Sequence, residues 1–175
     1  MSYYADKVAD IKTNKGTITI RFFPDVAPNH VKNFVDLAEK GFYNGSKFHR
    51  VIPGFMIQGG DPNSIKGDPS SWGTGGSGTN VKAEFSSIHH VPGIVSMARS
   101  QSIDSASSQF FICVGDASFL DKKYSAFGVV TSGMPVAEAI ATTPRDANDR
   151  PKSPVIMESV TIRVAKDSEK GPTPK

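Results

Sequence analysis

Hydrophobic and polar positions alternate with a period of two at the start of the chain. Val8, Asp10 and Lys12 oppose Ala9, Ile11 and Thr13, and the same rhythm returns from Thr17 to Phe23. Between the two runs lies Asn14-Lys15-Gly16, where Gly16 can take a positive φ, so the pattern predicts a β-hairpin. The period then changes. Val31, Phe34, Val35 and Ala38 recur at helical spacing behind Pro28, a good first-turn residue, and Gly41 closes the run. A shorter helix is predicted after Pro135, with Val136, Ala139 and Ile140 as its apolar face.

Six further short apolar runs read as strands: 48–52, 55–58, 94–97, 110–114, 126–131 and 155–164. Gly and Pro turns separate them, and helices do not alternate with them. That argues against a parallel α/β sheet and for a closed antiparallel architecture. Residues 64–82 form a long irregular stretch, which in a compact domain points to function or mobility. The last ten residues, 166–175, are rich in Lys, Pro, Glu and Ser and read as a flexible tail behind one domain over 1–165.

Composition narrows the classes. A chain of 175 residues with 38% hydrophobic and 21% charged residues fits one soluble domain. The net charge of +3 arises from 20 basic against 17 acidic residues without a basic cluster, so no nucleic-acid partner is expected. No run reaches membrane-spanning length, and Met1–Lys7 carries no apolar leader core; a cytoplasmic location and no membrane contact are the expectations. Cys113 is the sole cysteine, so no intrachain disulfide can form, and its apolar setting reads as a buried small hydrophobe.

The chemistry concentrates in Phe48-His49-Arg50-Val51-Ile52-Pro53-Gly54-Phe55-Met56-Ile57-Gln58-Gly59-Gly60-Asp61. Taken alone, Arg50 reads most simply as a strand-end arginine whose stem covers apolar surface. Held beside apolar neighbours, it also offers a planar fork of donors to a carbonyl oxygen. His89-His90 has no Cys or carboxylate at ligand spacing, so neither metal nor cofactor is expected. Ser107-Ser108 lacks a nucleophile elbow, and Gly73-Thr74-Gly75-Gly76-Ser77-Gly78 lacks the Gly-Lys-Ser/Thr ending of a phosphate loop.

The fourteen-residue segment resembles the cyclophilin signature. Ser107-Ser108-Gln109-Phe110-Phe111-Ile112 and Phe127-Gly128-Val129-Val130 resemble the family's second and third motifs, and Asn33-Phe34 and Gly73-Thr74-Gly75-Gly76 also fit. The resemblance runs from about Val8 to Val164. It implies a mainly β fold, a closed eight-stranded antiparallel barrel capped by two α-helices, with the active site on the outer face. It implies a peptidyl-prolyl cis/trans isomerase that acts on proline-containing peptides and folding proteins, and a monomer. Carried over residue by residue, Arg50 matches the catalytic arginine, with Gln58 as its polar partner and His49 as its support. Phe55, Met56, Phe111 and Leu120 match the walls of the proline pocket. Met97, Ala98 and Arg99 match the segment that pairs with the peptide backbone, beside Gln109, and Phe119 and Tyr124 complete the rim.

Three residues depart from the common pattern: Phe119 stands where many members have Trp, Tyr124 where they often have His, and Arg99 where Asn is common. Loss of the indole N–H implies weaker cyclosporin binding, while the apolar wall is kept. The segment from Asn63 to Trp72 is longer than in the commonest members, and the sequence gives Trp72 no role. Two rival readings remain at this stage: a proline-peptide binding module with little turnover, and a holding chaperone indifferent to Arg50.

Overall fold

In the computed structural model, which describes residues 3–174, the chain starts with the expected hairpin. Strands β1 (Lys7–Thr13) and β2 (Gly16–Phe22) pair antiparallel, and Gly16 takes a φ of +132° at the turn. Helix α1 (Pro28–Glu39) follows. Its N-cap, Ala27, has no side chain to receive the first free N–H groups. Glu84 does so from 55 residues away, accepting the N–H of Asn29 at 3.2 Å and of His30 at 2.9 Å.

The remaining elements are β3 (Phe48–Ile52), β4 (Met56–Gly59), the one-turn helix α2 (Asn63–Lys66), β5 (Ile94–Met97), β6 (Phe110–Cys113), β7 (Ala126–Ser132), α3 (Met134–Ala141) and β8 (Met157–Val164). The two helices expected from periodicity are α1 and α3; α2 is a third, too short to leave a periodic trace.

All eight strands form one antiparallel sheet in the order β3-β4-β6-β5-β7-β2-β1-β8. The expectation of a closed barrel is corrected here, because no ladder joins β3 to β8. The sheet curls until its edges meet only at their ends. There Gly45 N–H donates to Met157 O (2.8 Å), Met157 N–H to Ser46 O (2.8 Å) and Phe48 N–H to Val155 O (3.0 Å). Beyond that seam β3 diverges, and Val51 N–H turns to Asp149 O (2.8 Å) in the loop before β8. The same seam moves the start of the last strand from the expected Val155 to Met157.

Side chains divide between two hydrophobic clusters, as a two-period strand requires. Ile57, Phe110, Ile112, Val95, Met97 and Phe127 point into the curled sheet, where α1 adds Val31, Phe34 and Val35. Met56, Phe111, Cys113, Ile94 and Ala126 point outward into a second cluster with Phe23, Ile88 and Ala117. A sheet buried on both faces explains why 110–113 reads as an uninterrupted apolar run. Burial among apolar neighbours pushes the Cys113 thiol up to about 12.

After β8 the chain enters a 3-10 turn, Asp167–Glu169. Arg163 bridges Asp10 and Glu169, both at 2.7 Å, and Arg21 donates to Gly171 O at 2.6 Å.

Candidate active site

The outward cluster is the floor of the site. Register sets its centre: Arg50 faces Gln58, Gln58 faces Phe111, and Phe111 faces Ser96, a row across β3, β4, β6 and β5. Strict alternation would put Arg50 on the same side as Phe48, which is fully buried in the inner core. A β-bulge prevents this. The register shifts between Phe48 and Arg50, leaving His49 as the extra residue, so Phe48 turns in and Arg50 turns out. His49 is 6% exposed, and burial holds its pKa below the usual imidazole value despite the nearby Asp61 carboxylate. A neutral ring therefore backs the guanidinium, without like-charge repulsion.

A hollow of about 170 Å³ opens above this row, lined by Arg50, Phe55, Met56, Gln58, Ala98, Arg99, Phe111, Leu120 and Tyr124. Nine of the thirteen residues singled out in the sequence thus share one concavity. Gln109 stands beside it and lines an adjoining cavity of about 450 Å³ with Gly75, Gly76 and Ser107. Phe119 sits on the rim, 63% exposed, its ring 5.5 Å from that of Phe55. His49 lies behind Arg50 rather than in the hollow. The side chain of Met97, 1% exposed, packs into the inner core, so Met97 has only its backbone on this side. The N–H of Ala98 is taken by Gln109 O at 3.0 Å.

Arg50 Nη1 donates to Gln58 Oε1 at 3.4 Å, Gln58 Nε2 to Gln109 Oε1 at 3.0 Å, and Gln109 Nε2 to Gly75 O at 2.9 Å. The carbonyl at the end of the chain can only accept, so each amide is oriented in turn and the last oxygen faces the guanidinium. Gly75 is fixed by Asp61, which is fully buried and accepts the N–H of Gly75 (3.1 Å) and of Asn63 (2.8 Å). Gly60 makes this approach feasible: its φ is +93°, and a Cβ there would lie 2.5 Å from Ser108 O. The end of the long motif, Gly59-Gly60-Asp61, therefore anchors the loop that steers Arg50.

The opposite wall is a stack. The Arg99 guanidinium lies 4.6 Å from the Tyr124 ring centroid, and Tyr124 meets Phe111 edge-on at 5.9 Å. Arg99 is strapped down by hydrogen bonds to Lys123 O (3.0 Å) and Ser100 O (3.0 Å). Beneath Phe111 lies a residue that sequence reasoning missed. In the sequence His90 carries nothing that sets it apart from His89. His89 is exposed, but His90 is buried against the Phe111 ring at 6.1 Å, between Asp121 at 3.0 Å and Ser96 at 2.9 Å. Burial lowers its pKa, with the Asp121 carboxylate opposing. Both histidines reach Asp121, and His90 differs from its neighbour by its burial and by its contacts with Ser96 and the Phe111 ring, which no local pattern carries.

The model of the family "Cyclophilin type peptidyl-prolyl cis-trans isomerase/CLD" matches residues 8–162. The chain belongs to the cyclophilin-type peptidyl-prolyl cis–trans isomerases. A Brucella abortus relative named "Probable peptidyl-prolyl cis-trans isomerase" is 43% identical over 157 residues, spanning 87% of this chain and 80% of its own. The peptidyl-prolyl cis-trans isomerase ppi1 of Schizosaccharomyces pombe is 38% identical over 161 residues, spanning 87% and 97%. The crystal structure of a Cryptosporidium parvum cyclophilin-type isomerase, obtained in the presence of the dipeptide Ala-Pro, superposes with a TM-score of 0.80 at 30% identity. It covers 89% of this chain and 98% of that one. As a member of this family the chain is a peptidyl-prolyl cis–trans isomerase.

Proposed function

We propose that the hollow beside Arg50 holds the proline ring of a flexible or folding chain and that Arg50 accelerates rotation about the preceding peptide bond. The observation that carries this reading is one guanidinium at the mouth of an apolar concavity walled by Phe55, Met56, Phe111 and Leu120. Rotation must overcome about 18–20 kcal/mol of amide resonance, and no bond to another atom forms or breaks. A site that binds the twisted amide more tightly than either planar form is therefore sufficient. No metal or cofactor enters the reaction.

Each residue then has a task. The apolar walls exclude water and hold the ring, and Phe119 extends them over the rim. The backbone of Arg99 pairs with the peptide on the far side, because the Ala98 N–H is already engaged. Among the described residues, Gln58 is the one hydrogen-bond partner of the Arg50 side chain, which leaves most of its five N–H donors for the substrate. As the amide twists, charge localises on the carbonyl oxygen and the lone pair on the prolyl nitrogen, and a preoriented charged donor gains strength with either. His49 supports Arg50 from behind. Cyclosporin binding is weak, since Phe119 offers no N–H, and the domain acts as a monomer in the cytoplasm.

Arg50→Ala tests the central role. One preorganised donor is worth about 2.7–4 kcal/mol in comparable electrostatic sites, on the order of a hundredfold or more in rate. Arg50 is exposed on a strand, so its removal costs the fold little. The expected result on a proline peptide is at least a hundredfold loss of kcat/KM with an unchanged melting temperature. An unchanged rate would reject that role for Arg50, and a wild-type protein that does not accelerate isomerisation would favour a binding module or a holding chaperone.

A further inference from the structure

The segment after α2 folds into a 3-10 turn, Pro69–Ser71, and sets Trp72 beyond the outer edge of β3. The Trp72 indole N–H is tied to Gly67 O at 3.1 Å. Its ring lies within reach of two cations, Lys47 Nζ at 5.3 Å and the Arg150 guanidinium at 5.8 Å from the centroid. A cavity of about 660 Å³ opens there, lined by Trp72, His49, Arg50, Ser70, Asn148 and Arg150, with Asp68 also facing it.

The walls are built, not incidental. Val51 N–H donates to Asp149 O (2.8 Å) and Asp146 N–H to Arg150 O (2.9 Å), which fixes the loop that carries Asn148 and Arg150 to β3. The charges lean one way. Two guanidinium groups, Arg50 and Arg150, face one carboxylate, Asp68, which also accepts the Ser70 N–H at 2.9 Å. Arg150 meets Asp146 through Nε at 3.3 Å, and its side chain also lines the cavity. Buried His49 is neutral and adds no charge. Arg50 and Gln58 line both this cavity and the proline hollow, so the two are contiguous.

We propose that this cavity is a second subsite that takes an Asp or Glu side chain from the same peptide whose proline fills the hollow. The inference rests on the proline reading of the hollow. An extended chain advances about 3.3 Å per residue, so an acidic residue within three positions of the proline reaches across the shared wall. The long segment that the sequence left without a role thereby becomes a specificity element, with Arg150 as the ion-pair partner and Trp72 holding that guanidinium in place.

The experiment compares proline peptides carrying Glu, Gln or Lys at each of the three positions on either side of the proline, with kcat/KM measured by NMR exchange. At one position Glu is expected to exceed Gln by roughly fivefold, the scale of a partly exposed ion pair, with Lys below Gln and the gap narrowing as salt is added. Arg150→Gln and Trp72→Ala are each expected to bring the Glu-to-Gln ratio towards one. In the wild-type protein, titration with the Glu peptide should shift the Trp72 indole N–H resonance more than titration with the Gln peptide. Equal rates for Glu and Gln at every position, a preference that survives both substitutions, or an indole resonance that does not distinguish the two peptides would overturn the subsite. Failure to isomerise any of the peptides would instead overturn the proline reading itself.

Discussion

Gln109→Leu isolates what the amide relay contributes apart from Arg50. The substitution keeps the bulk of the side chain and deletes two hydrogen bonds, from Gln58 Nε2 at 3.0 Å and to Gly75 O at 2.9 Å. At about 0.5–1.5 kcal/mol net for each bond, and with water able to reach a half-buried position, stability should fall by about 1–2 kcal/mol. The kinetic effect has a different origin. Without Gln109, nothing fixes which end of the Gln58 amide faces Arg50, and the flipped amide sets its NH2 against the guanidinium. The Arg50–Gln58 contact is long, at 3.4 Å, so the orientation it supplies is worth about 1 kcal/mol. That corresponds to roughly a fivefold loss in kcat. NMR exchange measurements at saturating and sub-saturating peptide separate kcat from KM, and a urea melt gives the stability. A rate equal to wild type would show that the relay does not steer Arg50. A loss as large as that of Arg50→Ala would show that Gln109 itself acts on the reacting amide.

Two further tests follow from single observations. His30, His49 and His90 are all held below the usual imidazole pKa, first by burial, with Glu84, Asp61 and Asp121 opposing in turn. Between the ordinary imidazole value of 6.5 and the lower folded values the unfolded chain binds more protons, so stability rises with pH across that window and falls on acidification. The slope reaches up to about 1.4 kcal/mol per pH unit for each histidine, and a urea midpoint unchanged between pH 7.5 and pH 5.5 would contradict it. Phe119→Trp places an indole N–H on an exposed rim position, and cyclosporin should bind about tenfold more tightly by calorimetry, the worth of one hydrogen bond. Equal affinities of the two proteins would remove Phe119 from the argument.

Features that depend on neighbours a few residues apart are legible along the chain. The period of two along β1 and β2, Gly16 at their turn, Pro28 opening α1 and the apolar face of that helix all act within one element, and each is legible. The long motif around Arg50 named most of the site in the same way, since Arg50, Phe55, Met56 and Gln58 lie within nine positions of one another. Features that depend on distant partners arise only when the chain packs. The bulge at His49 exists because Phe48 must fill the core while Arg50 faces solvent, and no alternation rule contains that conflict. Glu84 caps α1 from across the fold, Asp61 pins the glycine loop that orients Gln109, and His90 is buried while its neighbour His89 is not. The seam between β3 and β8, which leaves the barrel short of full closure, depends on where two strands far apart in sequence run out. Hydrogen-bond partners and burial are properties of the packed chain, and a linear pattern encodes them only when both partners lie on the same element.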